Sequence, residues 1–198
     1  MQVTLIRHGK TAGNSELRYI GRTDEPLTGE GIAQVEAAGA DPDVQTVYVS
    51  PLQRTRQTAQ LLFPNARQQV VDDLREMDFG DFEGRSYNEM ADDAAYRAWV
   101  DSDCLAPCPN GESREQFAQR VCSAFSAVLA QAREDGETGL VFVVHGGTVM
   151  AIMERFARPR RDYYDYSVKN CRGYICDAAF DEAGSPVLTN LCHWERTV

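Results

Sequence analysis

Two short runs of β-forming residues, far apart in the chain, each end in a His-Gly turn. Val3–Ile6 leads into His8 and Gly9, and Leu140–Val144 leads into His145 and a second glycine. In a parallel α/β sheet the carboxyl ends of the strands meet at one edge, where such sheets bind ligands. The two turns therefore predict an α/β fold in which two of the three histidines share one polar site.

Other apolar runs fit the same fold. Short β-branched runs are typical of buried parallel strands, and two late strands flank a turn at residues 183–186. The predicted strands are Val3–Ile6, Val47–Val49, Val70–Val71, Leu140–Val144, Gly173–Phe180 and Val187–Cys192. The predicted helices are Thr28–Gly39, Pro51–Leu62, Ser113–Arg133 and Thr148–Ala157. The alternation predicts a single-domain, three-layer α/β/α sandwich over residues 1–198, with about six mostly parallel strands and one antiparallel edge strand.

Two of these helices carry recognisable start signals. Ser50 precedes Pro51, so we expect Ser50 to cap that helix and Pro51 to occupy its first position. Ser113 is followed three residues later by Gln116, the spacing of a capping box. The segment Asn110–Ser113 is therefore interpreted as a turn followed by a helix cap.

Composition limits the partners. The formal net charge of −10 argues against nucleic acid or an anionic membrane, although a local cluster of arginines can still bind a small anion. No apolar run reaches membrane-spanning length and no signal-peptide pattern is present, so we expect a cytoplasmic protein. The six cysteines have only loose zinc-like spacing, which favours reduced thiols and no metal.

The first turn carries groups suited to phosphate chemistry. A neutral imidazole such as that of His8 attacks phosphorus if a backbone carbonyl holds one ring nitrogen and the other faces the substrate. Gly9 allows the tight turn and lets backbone N–H groups approach an anion. Arg7 supplies a planar fork of donors that matches phosphate oxygens.

Two further segments end strands at the same predicted edge. Arg54 follows Val47–Val49 near a helix N-terminus, where unpaired N–H groups favour an anion. Arg54 and Arg56 could also form a solvated helix face, but the position at the edge favours a functional Arg54.

The segment Leu74–Gly84 offers a proton donor for a leaving oxygen. Apolar neighbours raise the pKa of a carboxyl group, and Glu76 lies beside Met77 and near Phe79. We select Glu76, while three other carboxyl groups remain open as alternatives: Asp78, Asp81 and Glu83.

These segments together resemble the ordered signatures of the histidine phosphatase superfamily, which has the phosphoglycerate mutase-like fold. The matching residues are Arg7-His8-Gly9-x-Thr11-x-x-Asn14, Ser50-Pro51-Leu52-x-Arg54-x-x-Gln57-Thr58-Ala59, Glu76-x-x-x-Gly80-x-x-Glu83-Gly84 and His145-Gly146-Gly147. Lys10 departs from the pattern, since the family more often has Glu or Gln there.

The resemblance implies a metal-independent enzyme without a cofactor that acts on a small phosphorylated metabolite. His8 would become phosphohistidine, and Glu76 would be the proton donor and later the base. Arg7, Arg54 and His145 would bind the phosphoryl group. The implied substrate-binding positions are Thr11, Asn14, Gly21, Thr23 and Gly146.

Within the family, the residues after Glu76 resemble the phosphatase form and not the cofactor-dependent mutases. The region from Tyr96 to Val121 resembles the α-ribazole phosphatase branch, a pattern that broad phosphomonoesterases share. A phosphoglycerate mutase and a catalytically inactive regulatory module remain alternatives. The intact set of His8, Arg7, Arg54, Glu76 and His145 argues against the inactive module.

Two segments hold the specificity half of the site. Residues 84–110 are predicted as a helical excursion that forms a lid, a specificity insertion or a surface insertion. Tyr96 and Trp99 lie there at i and i+3, which fits a packed helical face or stacking on a substrate ring. Arg158–Asn170 combines positive charge and aromatic residues. This segment could recognise a nucleoside-like leaving group or pack at the surface, and we favour the surface interpretation. No pattern in the sequence indicates an oligomeric state.

Overall fold

The computed structural model describes residues 1–195 and contains one six-stranded sheet. The strands are β1 (Gln2–Arg7), β2 (Thr46–Val49), β3 (Arg67–Val70), β4 (Gly139–Val144), β5 (Gly173–Phe180) and β6 (Pro186–Trp194), in the order β3-β2-β4-β1-β5-β6. The first four strands pair in parallel. β5 runs antiparallel to β1 and forms an antiparallel hairpin with β6 at that edge. The mostly parallel α/β architecture is confirmed.

Six α-helices surround this sheet within the described residues. They are α1 (Ala12–Ser15), α2 (Gly29–Ala37), α3 (Gln53–Leu62), α4 (Ala94–Asp101), α5 (Arg114–Glu134) and α6 (Gly146–Phe156). α5 begins with the expected capping box, in which Ser113 accepts from the backbone N–H of Gln116 and the Gln116 side chain accepts from that of Ser113.

Alternate residues of the central strands bury on opposite faces of the sheet. Leu5 and Val144 pack into the layer that contains α5 and α6, whereas Ile6 and Val143 pack towards α2 and α3. Each fully buried aliphatic side chain of this kind contributes about 1.5–3 kcal/mol of transfer free energy. The two hydrophobic layers therefore fix the register of the sheet, because a one-residue slip would exchange the two faces.

The register places the ends of three strands side by side. Arg7 pairs with Val144, and Val49 pairs with Val143. His8, Ser50 and His145 follow these strands directly, so the sheet itself brings them to one edge.

Two predictions from the sequence are wrong in detail. The strand predicted at Val70–Val71 is β3, an edge strand in which Val70 is 48% exposed, because only one strand pairs with it. The helix predicted from Pro51 begins at Gln53, and Ser50 is not its cap. Asp24 performs that role from a distant loop, since its Oδ1 accepts a 2.6 Å hydrogen bond from the Gln53 N–H.

The predicted excursion at residues 84–110 contains one helix, α4, which Asp93 caps. Tyr96 and Trp99 are buried on its inner face and pack against Phe82 and Tyr19. The packed helical face is therefore confirmed, while closure as a lid stays a prediction.

In residues 1–195, no helix is long and apolar enough to cross a membrane. The cytoplasmic location stays a prediction from the sequence. All six cysteines are free thiols.

Candidate active site

His8 is held in one tautomer at the end of β1. Its Nδ1 lies 2.7 Å from the carbonyl oxygen of Gly9, which can only accept, so Nδ1 carries the proton and Nε2 keeps its lone pair. The side chain is buried, and the pKa of His8 is lowered well below 6.5 by burial and then by the positive charges of Arg54 and Arg7. A neutral imidazole with a free Nε2 is therefore the resting form.

His145 lies against His8, with ring centroids 5.2 Å apart and the rings at 68°. Nδ1 of His145 accepts a 3.2 Å hydrogen bond from Nε of Arg54, and Nε2 lies 2.8 Å from Oγ of Ser50. Burial, followed by the charge of Arg54, lowers the pKa of His145 well below 6.5. The second histidine is therefore also neutral and has both ring nitrogens engaged.

The guanidinium of Arg54 is almost completely buried and donates to backbone carbonyl oxygens of one loop, residues 20–23. Nη1 donates to Thr23 at 2.7 Å, and Nη2 donates to Gly21 at 2.9 Å and to Ile20 at 3.4 Å. A carboxylate holds the same loop, because Oε1 of Glu83 accepts from the N–H groups of both Gly21 and Thr23 at 2.9 Å. The loop therefore orients the cation beside the two histidines.

Arg7 precedes His8 at the end of β1 and has spare donor capacity. Its Nη1 donates to the carbonyl oxygen of Val168 at 2.8 Å, while its buried Nε has no hydrogen-bond partner among residues 1–195. A Cβ added at Gly146 would lie 3.3 Å from that Nε, so the glycine leaves space beside the guanidinium. A buried donor without a partner is the group an incoming anion would satisfy.

Glu76 faces the same region from the segment after β3. Its Oε1 accepts from the Met77 N–H at 3.0 Å, and its Oε2 accepts from the Gly147 N–H at 2.9 Å. The pKa of Glu76 is raised above 4.5, because burial outweighs these two hydrogen bonds and the charges of Arg54 and Arg7. A carboxyl group with a raised pKa can hold a proton for transfer.

Of the four candidate carboxyl groups, Glu76 is the one in the cavity wall. Asp78 pairs with Arg22, Asp81 accepts from Asn110, and Glu83 holds the loop under Arg54. The geometry therefore favours Glu76 as the proton donor.

The cavity in front of Glu76 has a volume of about 280 Å³ and a largely aromatic wall. Arg7 and Glu76 form its polar end, and Arg114 is the other charged group in its lining. The aromatic lining residues are Tyr19, Phe79, Trp99, Tyr163 and Tyr164. A second, more open groove shares Arg7 and Tyr19 with the cavity.

The expected substrate-binding residues do not all line the cavity. Thr11 is fully buried and caps α1 together with Asn14, whose Oδ1 also accepts from Asn170. Asn14 lines the groove beside Arg7, whereas Gly146 lines the cavity. The backbone groups of Gly21 and Thr23 contact Arg54 and Glu83, as described above.

Several residues support the site although the sequence does not predict their role. Ser50 is expected at the start of a helix, yet its hydroxyl contacts His145 and lies 2.9 Å from Oγ1 of Thr55. Asn170 donates to the carbonyl oxygen of His8 at 3.1 Å from a segment interpreted as surface. Two signals in the sequence point to Ser50: its position at a strand end and its place in the family signature that contains Arg54.

The described residues contain no group of three or more His, Cys, Asp or Glu side chains arranged to hold a metal ion. Metal independence remains part of the functional proposal below.

Comparisons with known proteins agree with this geometry. The sequence model of the histidine phosphatase superfamily, branch 1, matches residues 3–187. The chain is 32% identical over 202 residues to adenosylcobalamin/alpha-ribazole phosphatase of Salmonella typhimurium, with 98% of each chain covered. It is 36% identical over 137 residues to the probable phosphoglycerate mutase of Erwinia tasmaniensis, covering 66% of this chain and 64% of that one.

Among solved structures, the alpha-ribazole phosphatase of Shigella flexneri superposes with a TM-score of 0.81 at 26% identity, covering 100% of this chain and 96% of the other. The sequence match and the shared fold apply to nearly the whole chain, including all the residues gathered around His8 and His145. The protein therefore belongs to branch 1 of the histidine phosphatase superfamily and is a phosphoric monoester hydrolase.

Proposed function

We propose that the protein hydrolyses a small-molecule phosphate monoester through a phosphohistidine at Nε2 of His8, without a metal ion. The observation that carries this proposal is the 2.7 Å contact between His8 Nδ1 and the Gly9 carbonyl oxygen. It leaves Nε2 unprotonated near the buried Arg54 and the half-buried Arg7. A nucleophile held in this tautomer needs no proton removed before it attacks.

In the first step, the Nε2 lone pair forms a bond to phosphorus while the ester P–O bond breaks. The leaving oxygen takes the proton of Glu76, and Arg7 and Arg54 balance the charge on the transferred group. In the second step, the Glu76 carboxylate removes a proton from water as the water oxygen bonds to phosphorus. The P–N bond breaks, phosphate leaves, and His8 and protonated Glu76 are restored.

His145 would donate to a phosphoryl oxygen through Nδ1 once that oxygen replaces Arg54 at this nitrogen. This requires Ser50 to donate its hydroxyl proton to Nε2, which the 2.8 Å contact permits. A serine hydroxyl both donates and accepts, so the same contact serves either tautomer.

For the substrate, we propose an ester whose leaving group carries an aromatic ring, with α-ribazole 5′-phosphate as the first compound to test. The five aromatic side chains of the cavity wall offer flat apolar surfaces. An aromatic leaving group could stack on these surfaces, whereas a simple sugar offers no aromatic face. Two relatives bear the name adenosylcobalamin/alpha-ribazole phosphatase, which supports the same choice.

The test is phosphate release from α-ribazole 5′-phosphate, 3-phosphoglycerate, a sugar phosphate and p-nitrophenyl phosphate, with and without EDTA. We expect the highest kcat/KM for α-ribazole 5′-phosphate and no effect of the chelator. His8→Ala should abolish release and any acid-labile, base-stable phosphoenzyme. Interconversion of 2- and 3-phosphoglycerate without phosphate release would identify a mutase instead.

Tyr164→Ala tests the aromatic wall without removing core packing, since this side chain is 57% exposed. Its kcat/KM should fall about tenfold for the α-ribazole ester and little for 3-phosphoglycerate, because one ring contact contributes roughly 1 kcal/mol. Tyr87→Ala, at a comparably exposed tyrosine outside the cavity, is the matched control. Equal losses on both esters would contradict the aromatic subsite.

A further inference from the structure

An ion pair outside the cavity holds the segment that carries Glu76. Nε of Arg120 donates to Oε1 of Glu112 at 2.9 Å, and Nη2 donates to Oε2 at 2.8 Å. This bidentate geometry fixes the orientation of the arginine relative to the carboxylate. The side chains are 16% and 22% exposed, so solvent screens the pair only in part.

The remaining donors of Arg120 bind backbone carbonyl groups on the approach to Glu76. Nη1 donates to Asp73 at 2.8 Å and to Arg75 at 3.3 Å, and Nη2 donates to Glu76 itself at 3.2 Å. One guanidinium on α5 thus contacts three carbonyl oxygens within four consecutive residues.

Glu112 holds the other side of the same segment. Its Oε2 accepts from the Asp78 N–H at 2.9 Å, and its backbone N–H donates to the Asp78 carbonyl oxygen at 2.9 Å. A Cβ at Gly111 would overlap that carbonyl oxygen, so only glycine lets the two backbones approach this closely. The pair therefore contacts the chain directly before and directly after Met77.

We propose that Arg120 and Glu112 are positioning residues that fix the Glu76 carboxyl group for proton transfer. The proposal rests on the role of Glu76 in the proposed function. Oε1 of Glu76 accepts a hydrogen bond from the Met77 N–H. Arg120 binds the Glu76 carbonyl oxygen, and Glu112 binds the Asp78 N–H. These two contacts lie on either side of Met77 and therefore determine the position of its N–H. Neither side chain is among the described residues that line the cavity, so both act through Glu76. Misplacement of a reacting group by about 1 Å can cost as much as a hundredfold in rate.

The experiment measures kcat/KM for a series of phosphate monoesters from p-nitrophenyl to alkyl leaving groups. This parameter reports the step that forms phosphohistidine, in which the leaving oxygen needs the proton. The variants are Glu76→Gln, Arg120→Lys and Glu112→Gln. Arg133→Lys makes the same change at the distant end of α5, and thermal unfolding reports the folded state of each variant.

For Glu76→Gln we expect a loss of roughly a hundredfold or more for alkyl esters and a small loss for p-nitrophenyl phosphate. Arg120→Lys and Glu112→Gln should lose about tenfold for alkyl esters and less than about threefold for p-nitrophenyl phosphate. Arg133→Lys should match the wild type. In the double variant with Glu76→Gln, Arg120→Lys should add no further leaving-group dependence.

A purely structural role would lower kcat/KM of all esters by one factor, and that result for Arg120→Lys overturns the proposal. Additive effects in the double variant overturn it as well. If Glu76→Gln itself shows no leaving-group dependence, the assignment of Glu76 in the proposed function fails, and the positioning role fails with it. If the loss of kcat/KM depends on the leaving group in Glu76→Gln but not in Arg120→Lys, only the positioning role of Arg120 and Glu112 is contradicted.

Discussion

Nε of Arg54 donates a 3.2 Å hydrogen bond to Nδ1 of His145, and this bond determines which nitrogen of the second histidine carries the proton. Because an arginine nitrogen can only donate, Nδ1 must accept and Nε2 must donate to Ser50. The Ser50 hydroxyl in turn lies 2.9 Å from Oγ1 of Thr55, which donates to the Leu52 carbonyl oxygen at 2.9 Å. The arginine and the histidine thus form one buried network with the start of α3.

Removal of the Ser50 hydroxyl should therefore affect activity through His145. In Ser50→Ala, Nε2 of His145 loses its partner in a fully buried position, which costs about 1–3 kcal/mol of stability. We expect kcat/KM to fall about tenfold as well, because His145 can no longer exchange tautomers through the serine. Steady-state kinetics and thermal unfolding measure the two effects.

Thr28→Ala is the control, since it removes the hydroxyl that caps α2 and costs about 1 kcal/mol. It should lower the unfolding temperature and leave kcat/KM near the wild-type value. If both variants lose activity in proportion to stability, the network has no role in catalysis.

Gly21 should not tolerate a side chain. A Cβ there would overlap the carbonyl oxygen of Met77, so the loop must move and withdraw its carbonyl oxygens from Arg54. We expect Gly21→Ala to weaken the binding of inorganic phosphate, measured by calorimetry, by at least about tenfold, which corresponds to roughly 1.4 kcal/mol. Gly29→Ala is the matched control, because nothing lies within 4 Å of its Cβ. Equal phosphate affinity in both variants would show that the loop does not orient the arginine.

The two shifted pKa values set the pH dependence of kcat/KM. The pKa of His8 is lowered well below 6.5, chiefly by burial, so the nucleophile stays neutral at acidic pH. The pKa of Glu76 is raised above 4.5 by burial. The carboxyl group therefore carries the proton below that raised pKa and loses it above. Activity on an alkyl ester should therefore persist well below pH 6.5 and decline on the alkaline side.

The measurement is a pH profile of kcat/KM from pH 4 to 9, corrected for the second ionisation of the ester near pH 6. Glu76→Gln should remove the alkaline decline for the alkyl ester, since that decline reports loss of its proton. An acidic decline centred at the ordinary histidine value of 6.5 would mean that the nucleophile is not buried as described.

The contacts of Glu112 differ in whether a sequence pattern can predict them. The sequence predicts a turn and a helix cap at Asn110–Ser113, and the structure confirms the cap, because a cap depends on neighbouring residues. Glu112 is in the same segment, but its partner Asp78 lies 34 residues away in the chain. A hydrogen bond across 34 residues leaves no local pattern.

The apolar runs and the His-Gly turns were enough to predict that His8 and His145 lie together, since each follows a parallel strand and such strand ends share one edge of the sheet. What surrounds the two histidines follows from tertiary packing. In the folded chain Ser50 contacts His145, and Asp24 accepts the hydrogen bond at the start of α3, contrary to the local pattern. Strand periodicity and caps are local properties, whereas the partner of a buried polar group depends on which distant segment packs against it.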